Sequence, residues 1–319
     1  MDTKQQVGVG ISLALTTAVC WGALPIAMKE VLVVMEPFTV VWYRFTMAAI
    51  GLGVILAVRG KLPPLTMFRQ PRWLLLLTIA TAGLLGNFVF FSSSLQYLSP
   101  TASQVIGQLS PVGMMFASVL ILKERMRVTQ VIGALMLICG LMLFFNVSLI
   151  EIFTRLTDYT LGVCAAMVWV SYGVAQKVLL RRLASPQILV MLYTLCAIAL
   201  FPLAKPEVIF QLSGWQLACL LFCGANTLIG YGALAEAMAR WQAAQVSALV
   251  TLTPLFTLLF SDLLALAWPQ AFAAPTLNIV GYVGAFVVVA GAMFSAIGHR
   301  WWPRRAEPPL VAPLKQPGE

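Results

Sequence analysis

Stretches of about twenty predominantly apolar residues recur along almost the whole chain, each long enough to cross the roughly 30 Å hydrocarbon core of a bilayer as a helix. Ten can be read: 7–29, 36–58, 73–96, 101–122, 128–146, 159–178, 187–204, 214–238, 242–266 and 276–297. A spanning segment must pair its backbone N–H and C=O groups internally, and continuous apolar runs of this length do so as helices. The expected fold class is therefore an all-α membrane protein with ten transmembrane helices. Composition agrees, with 61% hydrophobic and 10% charged residues over 319 positions, against roughly 45–50% and about 25% in soluble domains.

The first run is kept as a helix and not a cleaved signal. Its leading region holds only Lys4 against Asp2, and Val19 stands before Cys20, where a lipoprotein signal needs a small residue. All six cysteines fall inside apolar runs and behave as small hydrophobes. Cys219 and Cys223 share a helix face, but the single histidine, His299, is far away in sequence, so neither a metal site nor a cofactor is expected.

The net charge of +9 comes from short clusters between spans and not from one basic stripe, which argues against a nucleic-acid partner. Alternate connections carry sixteen of the 20 Lys and Arg residues: Lys4, Arg59 to Arg72, Lys123 to Arg127, Lys177 to Arg182, Arg240 and the tail from Arg300. The opposite connections carry Lys29, Arg155 and Lys205, and Arg44 lies within a span. By the positive-inside rule both termini are expected to be cytoplasmic in a multi-pass membrane protein. Residues 1–6 form a cytoplasmic N-terminus and 7–146 a first five-helix set. A connector at 147–158, whose LIEIFTRL reads as an interfacial amphipathic turn, leads to a second set at 159–297. The Pro-rich basic tail, 298–319, has no apolar period and is expected to be disordered beyond Trp301 and Trp302.

The two sets repeat one another. At an offset of 148, Leu13, Ala18, Trp21, Ala27 and Lys29 meet Leu161, Ala166, Trp169, Ala175 and Lys177. At 143, Ser110-Pro111 falls on Thr253-Pro254, and at 151, Gly133, Gly140 and Met142 fall on Gly284, Gly291 and Met293. The three matches keep their order, and five is odd, so the second set enters the bilayer inverted relative to the first. Such repeats frame a site near the midplane that opens to either side.

Trp21-Gly22, the run LQYLSPTASQVIGQLSP, the LKERM turn at 122–126 and the paired glycines resemble the EamA-type branch of the drug/metabolite transporter superfamily, over roughly residues 10–297. The resemblance implies ten helices in two inverted halves, an inner-membrane location and export or exchange of small metabolites such as amino acids. The second half departs from the pattern, with LAWPQAF and eight extra residues where the first has Glu124.

Few polar groups lie inside the spans, and each invites a functional reading. Arg44, about 11 Å below the edge of its span at 1.5 Å per residue, either holds a substrate carboxylate or phosphate or pairs with Asp262. Asp262 and Glu236 are the candidates for ion coupling, Glu236 also reading as a helix-face partner of Arg240. Asn87, Gln104 and Gln108 either contribute amides to a polar cavity or stitch helices together. Pro111 and Pro254 each free a carbonyl and mark kinks. Trp21 and Trp169, exchanged by the pseudo-symmetry, are candidate walls of a central cavity, with Tyr231 a further substrate-binding candidate.

No GxxxxGK[ST] loop for nucleotide phosphates is present. A membrane enzyme acting on lipid-linked substrates would need clustered acids or histidines, which the connections lack. A receptor or assembly subunit would not need an inverted duplication. A secondary transporter with a small-molecule substrate and the bilayer as its partners is the expected function; the residues leave the oligomeric state open.

Overall fold

Proline opens helix after helix in this chain. Pro37, Pro71, Pro100 and Pro186 each stand in a first turn, where a missing N–H leaves no hydrogen bond unmade. Ser99, Ser213 and Asn278 add side-chain caps, accepting from the N–H groups of Ala102, Gln216 and Gly281. The computed structural model describes residues 3–64, 70–120, 128–145, 156–241, 243–272 and 277–298. Among them the regular structure is helical. The first half gives α1 (Thr3–Val31), α2 (Pro37–Val58), α3 (Pro71–Tyr97), α4 (Pro100–Gly107), α5 (Leu109–Leu120) and α6 (Val128–Phe145). The second gives α7 (Leu156–Leu179), α8 (Ser185–Leu200), α9 (Gly214–Arg240), α10 (Ala243–Val250), α11 (Thr253–Ala267) and α12 (Ile279–Ile297), with two 3-10 turns at Phe201–Leu203 and Pro206–Gln211. The LKERM turn, residues 147–155 of the connector and the tail from 299 lie outside the described residues.

Nine segments among the described residues are long and apolar enough to cross a membrane. The expected fourth span differs: it is two short helices, α4 and α5, meeting at Gln108. Its repeat-mate is likewise cut between α10 and α11 at Thr251-Leu252. The expected kinks are thus short interruptions of the helical hydrogen bonding at equivalent positions, with Gln108 and Leu252 keeping right-handed helical dihedrals. Pro111 and Pro254 lie just beyond them, and each denies an N–H to the preceding turn. Gln108 N–H reaches the Val105 carbonyl, and Leu252 N–H that of Leu249, three residues back instead of four.

The helices pair across the two halves. α1 packs along α9 and α3 along α7, contacts that the repeat exchanges, while α2 meets α8 and α6 meets α12 as pairs that map onto themselves. The largest apolar cluster sits among α2, α3, α7 and α8 beside Tyr231 of α9, with Phe45, Leu84, Phe88, Tyr172 and Tyr193 buried in it. At the face opposite the N-terminus, Lys205 donates to Glu36 at 2.8 Å. That bond and the carboxylate's charge hold the Lys205 ammonium pKa above its ordinary value. Both side chains are more than half exposed, so the pair adds little stability.

The α6–α12 contact depends on glycine. A Cβ on Gly140 would stand 2.5 Å from the Val288 N, one on Gly291 would stand 2.6 Å from the Leu137 N, and one on Gly284 would run into the Phe144 backbone. The glycine spacing expected from the repeat therefore sets a backbone-to-backbone contact. Gly284→Ala should cost about 1–3 kcal/mol through overpacking against atoms that cannot rotate away. Gly232→Ala, where nothing lies within 4 Å, should be neutral or slightly stabilising. Thermal midpoints of the two purified variants in one detergent check the contrast.

Candidate functional site

The centre of the molecule is organised by a helix interruption. Pro25 lies inside α1 and has no N–H for the carbonyl four residues back, that of Trp21. Gln104, in the middle of α4, supplies the missing donor: its Nε2 gives a hydrogen bond to the Trp21 carbonyl at 2.8 Å. The carbonyls on either side also receive side-chain donors. Asn226 Nδ2 of α9 donates to that of Cys20, and Thr257 Oγ1 of α11 to that of Gly22 at 2.8 Å. Gly22 permits this approach, since a Cβ there would meet Phe256 Cβ at 2.6 Å. One turn earlier, Thr17 Oγ1 donates to the Gly230 carbonyl at 3.2 Å.

Held in this way, α1 sets the Trp21 indole over Gly230 and against Tyr231, with ring centroids 5.0 Å apart. Tyr231 is the hub of an aromatic cluster. Trp169, Phe88 and Tyr193 each lie 6.3 Å from it, and Trp169 also meets Tyr172 at 4.8 Å. The tryptophans that repeat at an offset of 148 therefore share one neighbour, donated by α9.

Arg44 completes the cluster. It is 3% exposed, with its guanidinium carbon 4.4 Å from the Phe88 ring centroid, a cation–π position. Its Nε donates to Thr227 Oγ1 at 3.1 Å and its Nη1 lies 3.2 Å from Met28 Sδ. Among the described residues no carboxylate lies within ion-pair distance of it. Pro37 and Pro186 open α2 and α8 at matching points, and counting on from each pairs Arg44 with Tyr193. The Tyr193 side chain is fully buried, and its hydroxyl has no partner among the described residues.

The pairing of Arg44 with Asp262 is corrected. Asp262 accepts from the Tyr282 hydroxyl of α12 at 3.2 and 3.3 Å. Glu236 lies on an exposed face and pairs with Arg240 one turn on, so the structure brings it near neither Arg44 nor Tyr231. The amides bind helices together: Gln104 as above, and Asn87 by donating to the Ala165 carbonyl of α7 at 2.9 Å. Gln108 stands at the α4–α5 break. The carbonyl that Pro254 frees, at Val250, is not open to a ligand, because Thr253 Oγ1 donates to it at 2.6 Å. Pro25, Thr227 and Met28 are absent from the reading of the sequence. Pro25 was legible, being a helix breaker inside an apolar run four residues after a repeated tryptophan. The other two carry no signal, because their role exists only once α1, α2 and α9 meet.

The model of the EamA-like transporter family matches residues 8–146 and again 157–297. The Escherichia coli (strain K12) protein named "Uncharacterized inner membrane transporter YhbE" is 78% identical over 303 residues, covering 94% of each chain. A Haemophilus influenzae "Uncharacterized transporter" is 48% identical over 306 residues, 95% of this chain and 99% of that one. A Salmonella typhimurium protein named "Probable amino-acid metabolite efflux pump" is 21% identical over 301 residues, 90% and 95% of the two. A solved crystal structure superposes with a TM-score of 0.63 over 91% of this chain and 98% of the other, at 21% identity, a likeness of fold.

The Pro25–Gln104 relation makes a double-variant prediction. Gln104→Leu should destabilise by about 1–3 kcal/mol, the cost of a buried carbonyl left without a donor. Pro25→Ala restores an N–H for that carbonyl, so in its presence Gln104→Leu should cost much less. Thermal midpoints of the four proteins of the cycle give the coupling; additive losses would show that the Gln104 bond does not replace the proline's missing one.

Proposed function

The chain belongs to the EamA-like transporter family, a multi-pass transporter of the inner membrane and not an enzyme, and we propose that it exports or exchanges small metabolites carrying a carboxylate or phosphate. Amino acids are the leading class. The observation that carries this reading is the Arg44 guanidinium, buried among neutral partners: an oxygen of Thr227, a sulfur of Met28 and the face of Phe88. A charge in the bilayer interior costs at least about 2.5–3.5 kcal/mol, and neutral groups compensate only part of that cost. An anionic substrate would compensate the rest, through the parallel N–H donors that suit guanidinium to carboxylate and phosphate.

The proposed site is Arg44 for the anion, Trp21, Trp169 and Tyr231 for the walls, and Gln104, Gln108 and Asn87 at the helix junctions around them. The Salmonella relative's name, an amino-acid metabolite efflux pump, supports outward flux of such solutes. Transport would proceed by rocking the halves, residues 7–146 and 159–297, against each other about the breaks beside Pro111 and Pro254. Asp262, half-buried and hydrogen-bonded to Tyr282, is the proposed coupling carboxylate. The clustering of Lys and Arg in alternate connections supports cytoplasmic termini.

The test is uptake of a panel of labelled amino acids and organic acids into liposomes containing the purified protein. Arg44→Lys keeps the charge but loses the planar fork. It should lower flux of an anionic solute by about 10- to 100-fold, the range for losing a charge-assisted hydrogen bond. The thermal midpoint should move by no more than a few degrees. Parallel loss of flux and of folded protein would make Arg44 a structural residue and overturn the assignment.

A further inference from the structure

A groove of about 620 Å³ runs between α1, the start of α9 and the end of α11, at the face opposite the N-terminus. All three helices line it with the same spacing, i, i+3, i+4, i+7, beginning at Ala23, Trp215 and Phe260. Seven residues of helix make it about 10 Å deep along the membrane normal. Its volume is that of a ligand site, within roughly 300–1,000 Å³. Its lining is apolar with a single charged residue, Glu30.

Glu30 stands one residue before the end of α1, while Trp215 and Trp268 stand at the first turn of α9 and just past the end of α11. Both indoles are more than half exposed, and they form a rim at headgroup level. The Glu30 carboxylate accepts from Trp215 Nε1 at 3.3 Å, and no cation among the described residues lies within ion-pair distance of it. The adjacent Lys29 turns away and donates to the Leu98 carbonyl at 3.0 Å. The groove therefore pairs an apolar trough in the acyl region with an acid lacking a cationic partner at headgroup level.

We propose that this groove binds a phospholipid with an ammonium headgroup, of the phosphatidylethanolamine type, one acyl chain lying along the trough and the ammonium against Glu30. A second protein helix fits the groove less well, because it would have to set a cation at Glu30 while covering two indoles that suit the wet interface. An anionic lipid would bring like charge to Glu30, the one charged group among the described residues that line the groove. The site is separate from the Arg44 cluster.

Native mass spectrometry of the full-length protein, stripped of lipid in detergent and offered equal palmitoyl-oleoyl phosphatidylethanolamine and phosphatidylglycerol, tests the assignment. The unaltered protein should retain the ethanolamine lipid up to about fivefold over the glycerol lipid, the upper end for a partly exposed ion pair. Glu30→Gln should bring the two to parity. Ala218→Trp, or Ala267→Phe should the first fold poorly, places a ring in the trough and should lower retention of both lipids at an unchanged thermal midpoint. Equal retention by the unaltered protein, or a preference that survives Glu30→Gln, overturns the headgroup contact. Undiminished binding in the filled variants overturns the groove. Displacement of the lipid by tetraphenylphosphonium at lower concentration would make the groove a site for lipophilic cations and would likewise overturn the proposal.

Discussion

A carbonyl freed inside a bilayer has no water to turn to, so every proline within a span obliges some other part of the protein to supply a donor. Much of this structure follows from how that obligation is met. At Val250 it is met locally, by the hydroxyl of Thr253. At Trp21 it is met from a distance, by Gln104 of α4. Asn226 and Thr257 of the second half add donors to the flanking carbonyls of Cys20 and Gly22. The interrupted turn of α1 is thereby gripped from both halves at the level of its tryptophan, and the ring stack on Tyr231 inherits its position from that grip.

The contacts between halves differ in kind. α6 and α12 touch through glycine backbone, with Gly133 against Gly291 and Ser295, so little side chain intervenes. α2 and α8 meet through large side chains, among them Arg44, Phe45 and Tyr193. Side chains have rotamers to exchange and backbone has none. Under the proposed rocking motion the glycine seam is suited to persist while the side-chain contacts around Tyr231 and Arg44 are remade.

The helices, their duplication and the glycine seam were legible because each is a periodic or compositional property of one segment. The two breaks were legible as kinks, since Pro111 and Pro254 align, but their extent was not. A proline frees one carbonyl, and whether the turn merely bends or comes apart depends on what surrounds it. The amides were ambiguous for the same reason. Gln104 is equally suited to a ligand or a backbone carbonyl, and only the position of α1 decides. Pairing Arg44 with Asp262 followed from depth alone, which places two residues at one level and says nothing about azimuth; Tyr282, a partner for Asp262 from α12, lay outside that argument.

Pseudo-symmetry does not extend to the central guanidinium. The repeat supplies Trp21 and Trp169 on two sides of Tyr231, yet Arg44 has Tyr193, not a second arginine, as its counterpart. Two guanidinium groups in this cluster would each pay the cost of burial and would repel one another in a medium that screens little. One guanidinium, with a tyrosine as its counterpart, avoids the repulsion; the buried Tyr193 hydroxyl has no partner among the described residues. Under the proposed function, this departure from symmetry favours a single anion at the guanidinium over two equivalent sites.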